Sequence, residues 1–571
     1  MCGIFCAVSC HGFKTPSDRT LSSLKQRGPD SLQEHRVRIP TTHNGDGKPV
    51  YVTFVASVLS LRGAKTVPQP LVDESSGCIF CWNGEAWEIK GWSINGNDTI
   101  VVFELLIQAA RTGGQHAVLR ALAEIYGPYA FVFYNAWDQS LYYARDGLGR
   151  RSLLKCFDDD GDMIISSVCD LTTSGQWLEV EADGIYIADL ALAHVDEPNS
   201  LRLLEIPCKP FTLLDSSSSE ANPLPYPSIN KDTSLPSSFA LRTGSAPVVE
   251  LEHFLDRSLR HRIKQIHEPG VIKDNSDAHI AILFSGGLDC TVLARLTHVI
   301  LPPDERVDLI NVAFQNPRVH KSDCPYEECP DRITARSSYE ELQRACPGRR
   351  FRLICVNVPY AETLSHRQQV IDLMHPHNTE MDLSISLALY FASRGAGVVD
   401  QEGLQIPCTT AARVLLSGLG ADELFAGYQR HALAFERRGL DGLIAELELD
   451  FGRLGKRNLG RDDRIISHWG KEARYPFLDE SLVAWAMRVP VWHKCGFGSL
   501  GIRGMFAEND EPLPERVPDP WDLEPGKQVL RLLAYALGLP GVSKEKKRAI
   551  QFGARTAKME IGRSKGTQLL S

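Results

Sequence analysis

The sequence predicts an α+β domain, then a linker, and then an α/β domain with a doubly wound parallel sheet and a helical C-terminal part. Short runs of β-branched and aromatic residues dominate the chain to about residue 187, as is typical of strands. From residue 248, strand-like runs alternate with helical spacing, which favours a parallel sheet with crossover helices. A chain of 571 residues is also too long for one hydrophobic core. We therefore expect domains at 2–187 and 248–571, separated by a linker or excursion at 188–247.

The first domain should consist mainly of strands. Runs rich in valine, phenylalanine and tyrosine predict strands at 50–61, 77–82, 129–134 and 140–145. Between them, residues 99–111 carry apolar side chains at helical spacing, namely Val102, Leu105, Leu106 and Ala109. The expected result is a layered domain in which strands outnumber helices.

The stretch 205–247 differs in composition from the chain on either side. It holds serines at 216–219 and prolines at 207, 210, 223, 225, 227, 236 and 247. A segment so rich in these residues and so poor in apolar ones predicts a linker or a long excursion.

The second domain should begin with a helix and continue with alternating strands and helices. One helical face carries Leu251, Phe254, Leu255, Leu259, Ile263 and Ile266. Strands are predicted at 279–284, 307–314, 351–358 and 413–417, and helices at 290–300 and 381–393. The pattern from about residue 420 is mainly helical.

Composition and charge exclude several classes of protein. The net charge is −9, so the basic footprint of a general nucleic-acid binder is missing. No apolar run approaches the ~18 residues of a membrane span, and no basic residue precedes the first apolar run, so we expect no secretory signal. Fifteen cysteines, an odd number, favour reduced thiols over a disulfide framework. We expect a cytoplasmic protein without membrane or nucleic-acid partners.

Cys2 is a candidate nucleophile because it directly follows Met1. Once Met1 is removed, Cys2 carries both a thiol and a free α-amine, whose ordinary pKa of roughly 7.7–8.0 lets it accept the thiol proton near neutral pH. Nucleophile and base then belong to one residue. A cysteine at position two is usually accidental, so the hypothesis depends on residues further along the chain.

Four more motifs follow Cys2 in order, namely Arg27-Gly28-Pro29-Asp30, Leu61-Arg62, Asn83-Gly84-Glu85 and Asn97-Asp98. Together they resemble the class II glutamine amidotransferases, whose fold is the N-terminal-nucleophile sandwich of two sheets between helices. The resemblance implies that Cys2 hydrolyses glutamine and that Arg62 binds the glutamine carboxylate, which suits a planar guanidinium. It also implies that Asp98 and the Glu85 region bind the ammonium. The Asn83 amide and the Gly84 N–H would stabilise the oxyanion, whereas in isolation Asn83-Gly84 would be a hairpin turn.

A glycine loop, Ser285-Gly286-Gly287-Leu288-Asp289-Cys290, follows the predicted strand at 279–284. Glycines let the backbone approach phosphates, and a helix N-terminus offers N–H donors. Asp289 can hold magnesium, and the Gly-Lys-Ser/Thr ending of the Walker loop is absent. The loop resembles that of ATP pyrophosphatases, which cleave ATP to AMP and pyrophosphate; an ordinary glycine turn is the alternative.

A second loop at 416–428, Leu-Ser-Gly-Leu-Gly-Ala-Asp-Glu-Leu-Phe-Ala-Gly-Tyr, again follows an apolar strand. With the first loop it resembles the synthetase domain of glutamine-dependent asparagine synthetases. The resemblance implies ATP and Mg²⁺ as cofactors, with Asp289 and Asp422 as the metal ligands. It implies an ATP site formed by Leu283, Ser285, Gly286, Gly287, Asp289, Phe314, Ser417, Gly418 and Lys527. Lys527 would also be catalytic, stabilising charge on the leaving pyrophosphate; a solvated surface lysine is the alternative.

Further motifs, including residues 149–153, 461–464 and 547–553, resemble the eukaryotic asparagine synthetase domain-containing proteins. The chain departs from asparagine synthetases at two positions, since Leu419 replaces a Glu and Cys290 replaces a Ser. Leucine cannot accept a proton from ammonia, and loss of a general base costs ~10²–10⁴ in rate. The glutaminase set is intact, whereas amide transfer to aspartate is put in doubt.

Three functions therefore stay open at this point. The first is a glutamine-hydrolysing asparagine synthetase, in which Cys2 releases ammonia to an adenylated aspartate and the products include asparagine, AMP and pyrophosphate. The second adenylates another carboxylate, and the third is a regulatory protein with residual glutaminase. The substrates implied are glutamine, aspartate and ATP, and a homodimer is one alternative for assembly. A zinc site at Cys78/Cys81 or at Cys324/Cys329 is disfavoured, because neither pair has a second pair of ligands nearby in the sequence.

Overall fold

The computed structural model describes residues 1–40, 49–196, 200–209, 226–236, 239–266, 277–319, 323–498, 523–559 and 566–570. These residues form a mixed α/β structure with several sheets. The serines at 216–219 and the prolines at 210, 223 and 225 of the predicted linker lie outside the described residues. None of the helices in the described ranges combines the length and apolar character that a membrane crossing requires.

The first half consists of strands with two main helices, α1 (Asp18–Arg27) and α2 (Asp98–Ala123). Its strands are β1 (Gly3–Ser9), β2 (Ser31–Ile39), β3 (Val50–Val58), β4 (Leu71–Val72), β5 (Ile79–Gly84), β6 (Glu88–Ile89), β7 (Trp92–Ser93), β8 (Ile125–Tyr126), β9 (Tyr129–Asn135), β10 (Ser140–Arg145), β11 (Leu154–Phe157), β12 (Met163–Ser166), β13 (Leu178–Glu179), β14 (Ile185–Asp196) and β15 (Ser200–Lys209). The four predicted strands are confirmed, with differences only at their ends. Helix α2 runs beyond the predicted 99–111, across a kink at Gly114.

Two six-stranded sheets stack in this half, in the orders β13-β11-β12-β1-β3-β2 and β15-β14-β10-β9-β5-β4. Their facing sides share one apolar core, to which β1 contributes Ile4 and β9 contributes Val132. On the outer side of the first sheet, Phe5 packs with Leu24 of α1. On the outer side of the second sheet, Phe80 packs with residues of α2. The half therefore has four layers. In the first candidate site, Cys2 directly precedes β1, and Asn83 and Gly84 end β5.

The residues from 188 to 209, predicted as the start of a linker or excursion, continue the second sheet. Strand β14 continues to Asp196, and β15 pairs with it antiparallel as far as Lys209. The alternating apolar residues of 185–191 extend the sheet, and proline at 207 does not prevent pairing because β15 is an edge strand. Beyond the undescribed residues, Tyr226, Ile229 and Leu241 are buried in the core of the second half, so this part of the segment is packed rather than free.

The second half is built on a seven-stranded sheet in the order β20-β19-β18-β17-β16-β21-β22. The strands are β16 (Ile280–Leu283), β17 (Val307–Phe314), β18 (Phe351–Val358), β19 (Ala396–Gln401), β20 (Leu404–Thr409), β21 (Val414–Leu416) and β22 (Glu472–Arg474). The helices are α3 (Ala246–Ile263), α4 (Leu288–Ile300), α5 (Pro330–Ala345), α6 (Tyr360–Met374), α7 (Glu380–Arg394), α8 (Ala421–Leu424), α9 (Gln429–Gly452), α10 (Gly460–Ser467), α11 (Glu480–Arg488), α12 (Gln528–Ala536) and α13 (Ile550–Gly553). The predicted alternation is confirmed.

Five neighbouring strands of this sheet are parallel, namely β18, β17, β16, β21 and β22. Strands β19 and β20 add an antiparallel edge. The chain moves outward from β16 to β18 on one side and later from β21 to β22 on the other. The order therefore reverses between β16 and β21, and ligands bind at such a reversal, beyond the carboxyl ends of the strands. Both predicted glycine loops begin there.

Buried ion pairs join the two halves. Arg27 pairs with Asp463 (Nη2–Oδ2, 2.7 Å) and Arg464 pairs with Glu179 (Nη1–Oε1, 2.7 Å). Such pairs add little net stability, but removal of one partner leaves a buried charge uncompensated. These pairs thereby hold the two halves against each other.

Candidate functional site

Cys2 directly precedes β1 and is half-buried. Its carbonyl oxygen accepts a hydrogen bond from Arg27 Nε (3.1 Å), the same side chain that reaches Asp463. Burial raises the pKa of the Cys2 thiol to about 11, although the nearby N-terminal ammonium opposes the shift. The thiol is therefore protonated at neutral pH and requires a base before it can attack an amide.

Met1 fills the space beside Cys2. Its side chain is 1% exposed and belongs to the apolar cluster that includes Leu59. The Met1 ammonium donates to the carbonyl oxygens of Arg27 and Lys471, both at 3.5 Å, and burial lowers the pKa of this amine to about 5. An amine with so low a pKa is a weak base, so activation of the thiol by an α-amine requires removal of Met1.

Asn83 and Gly84 end β5, as an oxyanion hole at a strand end would require. Asn83 is 1% exposed, and within the described ranges neither Nδ2 nor Oδ1 of its side chain has a hydrogen-bonding partner. A buried amide without partners costs about 1–3 kcal/mol. At Gly84, a Cβ would lie 2.7 Å from the carbonyl oxygen of Pro128, so only glycine fits. This strand end therefore offers an unsatisfied donor at a close-packed position.

Arg62 is buried and makes four contacts in the described structure. Its Nη2 donates to the carbonyl oxygen of Ile94 and to Gln265 Oε1, both at 2.7 Å. Its Nη1 donates to the carbonyl oxygen of Ala86 (2.8 Å) and pairs with Glu85 (3.3 Å). A substrate carboxylate at Arg62 would therefore displace one of the side-chain partners, Gln265 or Glu85.

Asp98 and Glu85 lie close to Arg62. Asp98 begins α2, and its Oδ2 accepts from Trp82 Nε1 (3.1 Å) and from the Ala86 N–H (2.8 Å). Burial raises the pKa of Asp98, and it raises the pKa of Glu85 to about 7 against the opposing charge of Arg474. The Asp98 carboxylate also contributes to the raised pKa of the Cys2 thiol. The structure thus brings together the predicted glutamine-site residues.

Arg474 is a residue of this site that the sequence reasoning missed. Its Nη2 donates to Glu85 Oε1 (3.0 Å) and its Nε to Glu472 Oε1 (2.6 Å). Its carbonyl oxygen accepts from the Ser417 N–H (2.9 Å) in the second glycine loop. Burial opposes ionisation of Glu472, but Arg474 and Arg151 outweigh it and lower the pKa of Glu472. One residue therefore contacts both candidate sites, and only a three-dimensional structure could reveal it.

The loop after β16 is held against α5. Gly286 has φ +78°, and a Cβ there would lie 2.4 Å from the backbone nitrogen of Ala335. The carbonyl oxygen of Gly286 accepts from Ser338 Oγ (2.7 Å), and Ser285 Oγ accepts from the Gly287 N–H (3.3 Å). Gly287 is the N-cap of α4, so the first turn of α4 faces the point where β16 ends, as an anion-binding loop requires.

Asp289, Asp422 and Lys527 converge between the two loops. Lys527 Nζ lies 2.8 Å and 2.9 Å from the two Asp289 oxygens and 2.9 Å from Asp422 Oδ1. Lys527 is 3% exposed, caps α12 and has φ +57°. Burial opposes the charges, but the pairing outweighs it, raising the pKa of Lys527 and lowering that of Asp422 well below its usual range. The alternative of a solvated surface lysine is therefore wrong.

The arrangement fits a magnesium ion. Two carboxylates from different loops surround one cation, and carboxylate oxygens are the ligands Mg²⁺ prefers. The cation present is the Lys527 ammonium. Gly418 brings the loops together, because a Cβ at Gly418 would lie 2.9 Å from the Cβ of Asp289.

The remaining predicted nucleotide residues differ in accessibility. Leu283 and Ser417 are half-buried at the ends of β16 and β21. The Phe314 ring is fully buried and packs edge-on against Phe391, with centroids 5.6 Å apart. The side chain of Phe314 therefore belongs to the core, because the end of β17 is covered by α7.

The two departures from the synthetase pattern lie in the same loops. Leu419 is half-buried and packs against the core of the second half. Cys290 is buried, and its Sγ lies 3.3 Å from the carbonyl oxygen of Gly287 and 3.7 Å from Ser285 Oγ. Cys290 thus holds the loop through weak hydrogen bonds to sulfur.

Lys547 is the second functional candidate that sequence reasoning left aside. A basic stretch such as 544–548 usually forms a solvated face, with proximity to the nucleotide site as the alternative; the Lys547 ammonium pairs with Asp422 Oδ2. Its sequence signals are the motif at 547–553 and the position of this stretch after Lys527, and neither of them indicates Asp422 as the partner.

In each cysteine pair considered for zinc, the two thiols lie in different environments. Cys78 and Cys81 are both buried, but they belong to the cores on opposite sides of one sheet. Cys324 is exposed and Cys329 is buried.

The chain is similar to known proteins over most of its length. The family model described as asparagine synthase matches residues 274–444 and 436–499. Asparagine synthetase domain-containing protein 1 of Bos taurus is 33% identical, over 99% of this chain and 97% of that protein. The same-named protein of Homo sapiens is 32% identical, over 98% and 96%. An asparagine synthetase domain-containing protein of Saccharomyces cerevisiae is 33% identical, over 91% and 86%.

Proposed function

The chain belongs to the asparagine synthetase domain-containing proteins, and from that premise we propose that it forms an amide with nitrogen taken from glutamine. Cys2 hydrolyses glutamine in the first half, and the ammonia reaches an ATP-activated aspartate in the second half. The products are glutamate, asparagine, AMP and pyrophosphate. We assign the four-layered first half to the N-terminal-nucleophile sandwich and propose domains near 2–209 and 226–571.

The glutaminase step follows from the residues around Cys2. After removal of Met1, the thiol proton passes to the α-amine of Cys2, and the thiolate attacks the side-chain amide of glutamine. The negative oxygen that develops takes hydrogen bonds from Asn83 Nδ2 and the Gly84 N–H. Arg62 binds the substrate carboxylate, and Asp98 and Glu85 hold the ammonium.

The activation step follows from the loops at the reversal of the sheet. The loop 285–289 and the loop 417–422 receive the triphosphate, and Asp289 and Asp422 would hold magnesium. Magnesium, when bound there, would neutralise phosphate charge. Lys527 then exchanges its carboxylate partners for phosphate oxygens and stabilises the charge on the departing pyrophosphate.

The observation that carries this proposal is the pair of sites joined by Arg474. Its side chain holds Glu85 of the first site and its carbonyl oxygen holds Ser417 of the second. A chain that retained only a glutaminase would have no use for the cluster of Asp289, Asp422 and Lys527.

One observation favours a second candidate function. Leu419 presents methyl groups where asparagine synthetases have a Glu, and it is half-buried and packs against the core. A regulatory protein with glutaminase activity and a weakened synthetase site would tolerate this change.

A pyrophosphate-release assay distinguishes the candidates. The purified full chain, with ATP, magnesium and either glutamine or ammonium chloride, is screened across aspartate and other carboxylic acids. We expect aspartate to support pyrophosphate release with either nitrogen source. Pyrophosphate release with a different acid and not with aspartate would identify that acid as the acceptor. Release with none of the acids would support the regulatory alternative.

A further inference from the structure

A group of metal-ligating side chains lies at the end of β1 that is remote from Cys2. Cys10 and His11 directly follow β1, and Asp162 directly precedes β12. Because β1 and β12 pair antiparallel, the end of β1 and the start of β12 lie side by side. Strand β1 has seven residues, and at about 3.3 Å per residue it places the group roughly 25 Å from Cys2. The group therefore lies outside the candidate glutamine site.

The potential ligand atoms lie close to one another. Cys10 Sγ, a ring nitrogen of His11 and a carboxylate oxygen of Asp162 are all within 4.8 Å of each other. In a tetrahedral zinc site, bonds of about 2.0–2.3 Å place the ligand atoms about 3.3–3.8 Å apart. His11 is exposed, so its side chain can rotate by the small amount needed to complete such a site.

Asp162 is the buried member of the group, and one of its oxygens is unsatisfied. The residue is 2% exposed. Its Oδ2 pairs with Lys14 Nζ (3.0 Å), whereas its Oδ1 has no hydrogen-bonding partner among the described residues. Buried polar atoms are nearly always paired, and a bound cation would supply the partner that this oxygen lacks.

The turn before β12 fixes the position of Asp162. Asp158 Oδ1 accepts from the N–H groups of Asp160 (3.1 Å) and Asp162 (2.9 Å), and Asp158 Oδ2 pairs with Lys14. The Gly161 N–H donates to the carbonyl oxygen of Asp158 (2.9 Å). The carboxylates of Asp158, Asp160 and Asp162 also lie within 4.8 Å of one another. Asp158 thus shapes the turn, and the exposed Asp160 lies within reach as a fourth ligand.

We propose that Cys10, His11 and Asp162 bind a zinc ion, with Asp160 or a water molecule as the fourth ligand. A thiolate, an imidazole and a carboxylate are the ligand types of zinc, whereas calcium and magnesium take oxygen ligands. Binding releases the thiol proton of Cys10 to solvent, because the thiolate is the ligand. The ion joins the end of β1 to the turn before β12 and stabilises the first half of the chain. The inference goes beyond the proposed function, since it requires neither glutamine nor ATP.

Cobalt titration of the metal-free, reduced full chain tests the ligand set. Co²⁺ can replace zinc at thiolate and imidazole ligands, and a cobalt–thiolate bond adds a charge-transfer band in the near ultraviolet. We expect this band in the wild type and its loss when zinc is added. Cys10→Ser should abolish the band. Cys324→Ser, which removes an exposed thiol elsewhere, and Cys2→Ala should both retain it.

Zinc affinity and thermal unfolding provide a second measurement, with a variant whose side chain is exposed and should not disturb folding. Loss of a group that merely supports a metal ligand costs about 10–100-fold in affinity, so His11→Asn should weaken zinc binding by about 100-fold or more. Zinc should raise the unfolding temperature of the wild type, because it binds the folded chain. The same zinc concentration should leave the unfolding temperature of His11→Asn unchanged.

Four results would overturn the proposal. A charge-transfer band of equal strength in Cys10→Ser, or its loss in Cys2→Ala, would place the metal at another thiol. Equal zinc affinity in His11→Asn and wild type would exclude the imidazole as a ligand. An unfolding temperature of the wild type that does not respond to zinc would exclude a stabilising site. Stabilisation by calcium but not by zinc would make the group an oxygen-only site at the three aspartates.

Discussion

The two candidate sites differ in how their buried polar groups are satisfied. On the glutamine side, both polar atoms of the Asn83 amide lack a partner within the described structure. On the ATP side, Asp289 and Asp422 are neutralised by Lys527, and Asp422 also by Lys547. The first site keeps an unpaired donor, to which we assigned an oxyanion in the proposed function, whereas the second holds its charges against one another.

This difference has a consequence for stability and activity. A side chain that makes no hydrogen bond in the folded chain can be substituted with little loss of stability, even where it is essential for activity. A buried residue that neutralises two carboxylates cannot, because its removal leaves their charge uncompensated. Mutations at the two sites should therefore separate into those that lower activity alone and those that lower both.

The largest effect is expected at Lys527. Lys527→Met should lower the free energy of unfolding by about 3 kcal/mol in the absence of magnesium, since Asp289 and Asp422 lose a shared cation. Magnesium should restore part of this loss, because it binds the folded variant without competition from an ammonium. Urea titrations with EDTA or magnesium measure both effects, with Lys546→Met as the control. Unchanged stability without magnesium would show that the ion pairs of Lys527 are not the main compensation for the charges of Asp289 and Asp422.

The next effect is expected at Asn83. Asn83→Ala should lower the kcat of glutamine hydrolysis by about 10²–10³, the usual cost of one oxyanion donor. The unfolding midpoint should barely change, because the side-chain amide of Asn83 has no hydrogen bond to lose within the described residues. Glutamate release and thermal unfolding are measured together. A variant that unfolds earlier but hydrolyses glutamine normally would assign Asn83 a structural role.

A smaller effect is expected at Leu419. Leu419→Glu should raise asparagine formed per ATP cleaved by about tenfold, because a carboxylate can accept a proton from ammonia. Leu419→Gln has the same shape without that capacity and should give no gain. Product ratios from asparagine and pyrophosphate assays provide the measurement. An equal gain from Gln would make polarity, rather than proton transfer, the missing property.

The smallest effect is expected in the pH dependence of stability. The pKa of Glu85 rises from 4.5 to about 7 on folding, chiefly through burial. The folded state then holds a proton between these values, so the stability Glu85 contributes is present below pH 4.5 and is lost as the pH rises to about 7. Glu85→Gln should flatten this decline in urea titrations. An unchanged slope would mean that the Glu85 carboxylate is ionised throughout that range.

Local patterns predicted most of the secondary structure. Strands β10, β17 and β18 match their predicted bounds at 140–145, 307–314 and 351–358, because apolar runs bounded by turns carry a clear signal. The β14–β15 hairpin was not predicted, since pairing between strands depends on a partner that composition does not reveal. Proline at 207 and the nearby serines indicated a linker there instead.

The residues of the candidate sites likewise divide into those that a local sequence pattern indicates and those that it does not. Cys2, Asn83, Asp289 and Asp422 stand in recognisable motifs, and Asp289 and Asp422 both pair with Lys527. Arg474 and Lys547 carry no local signal for their partners, because Glu85 and Asp422 are more than 100 residues away in sequence. The charge compensation at Lys527 is likewise a property of three distant segments.

The most direct test of the two-site account compares nitrogen sources in the wild type and in Cys2→Ala. Pyrophosphate release with aspartate and ATP is measured with glutamine and, separately, with ammonium chloride. The account predicts release with both sources in the wild type and with ammonium chloride alone in Cys2→Ala. Undiminished glutamine-dependent release in Cys2→Ala, or loss of ammonia-dependent release in that variant, would contradict it.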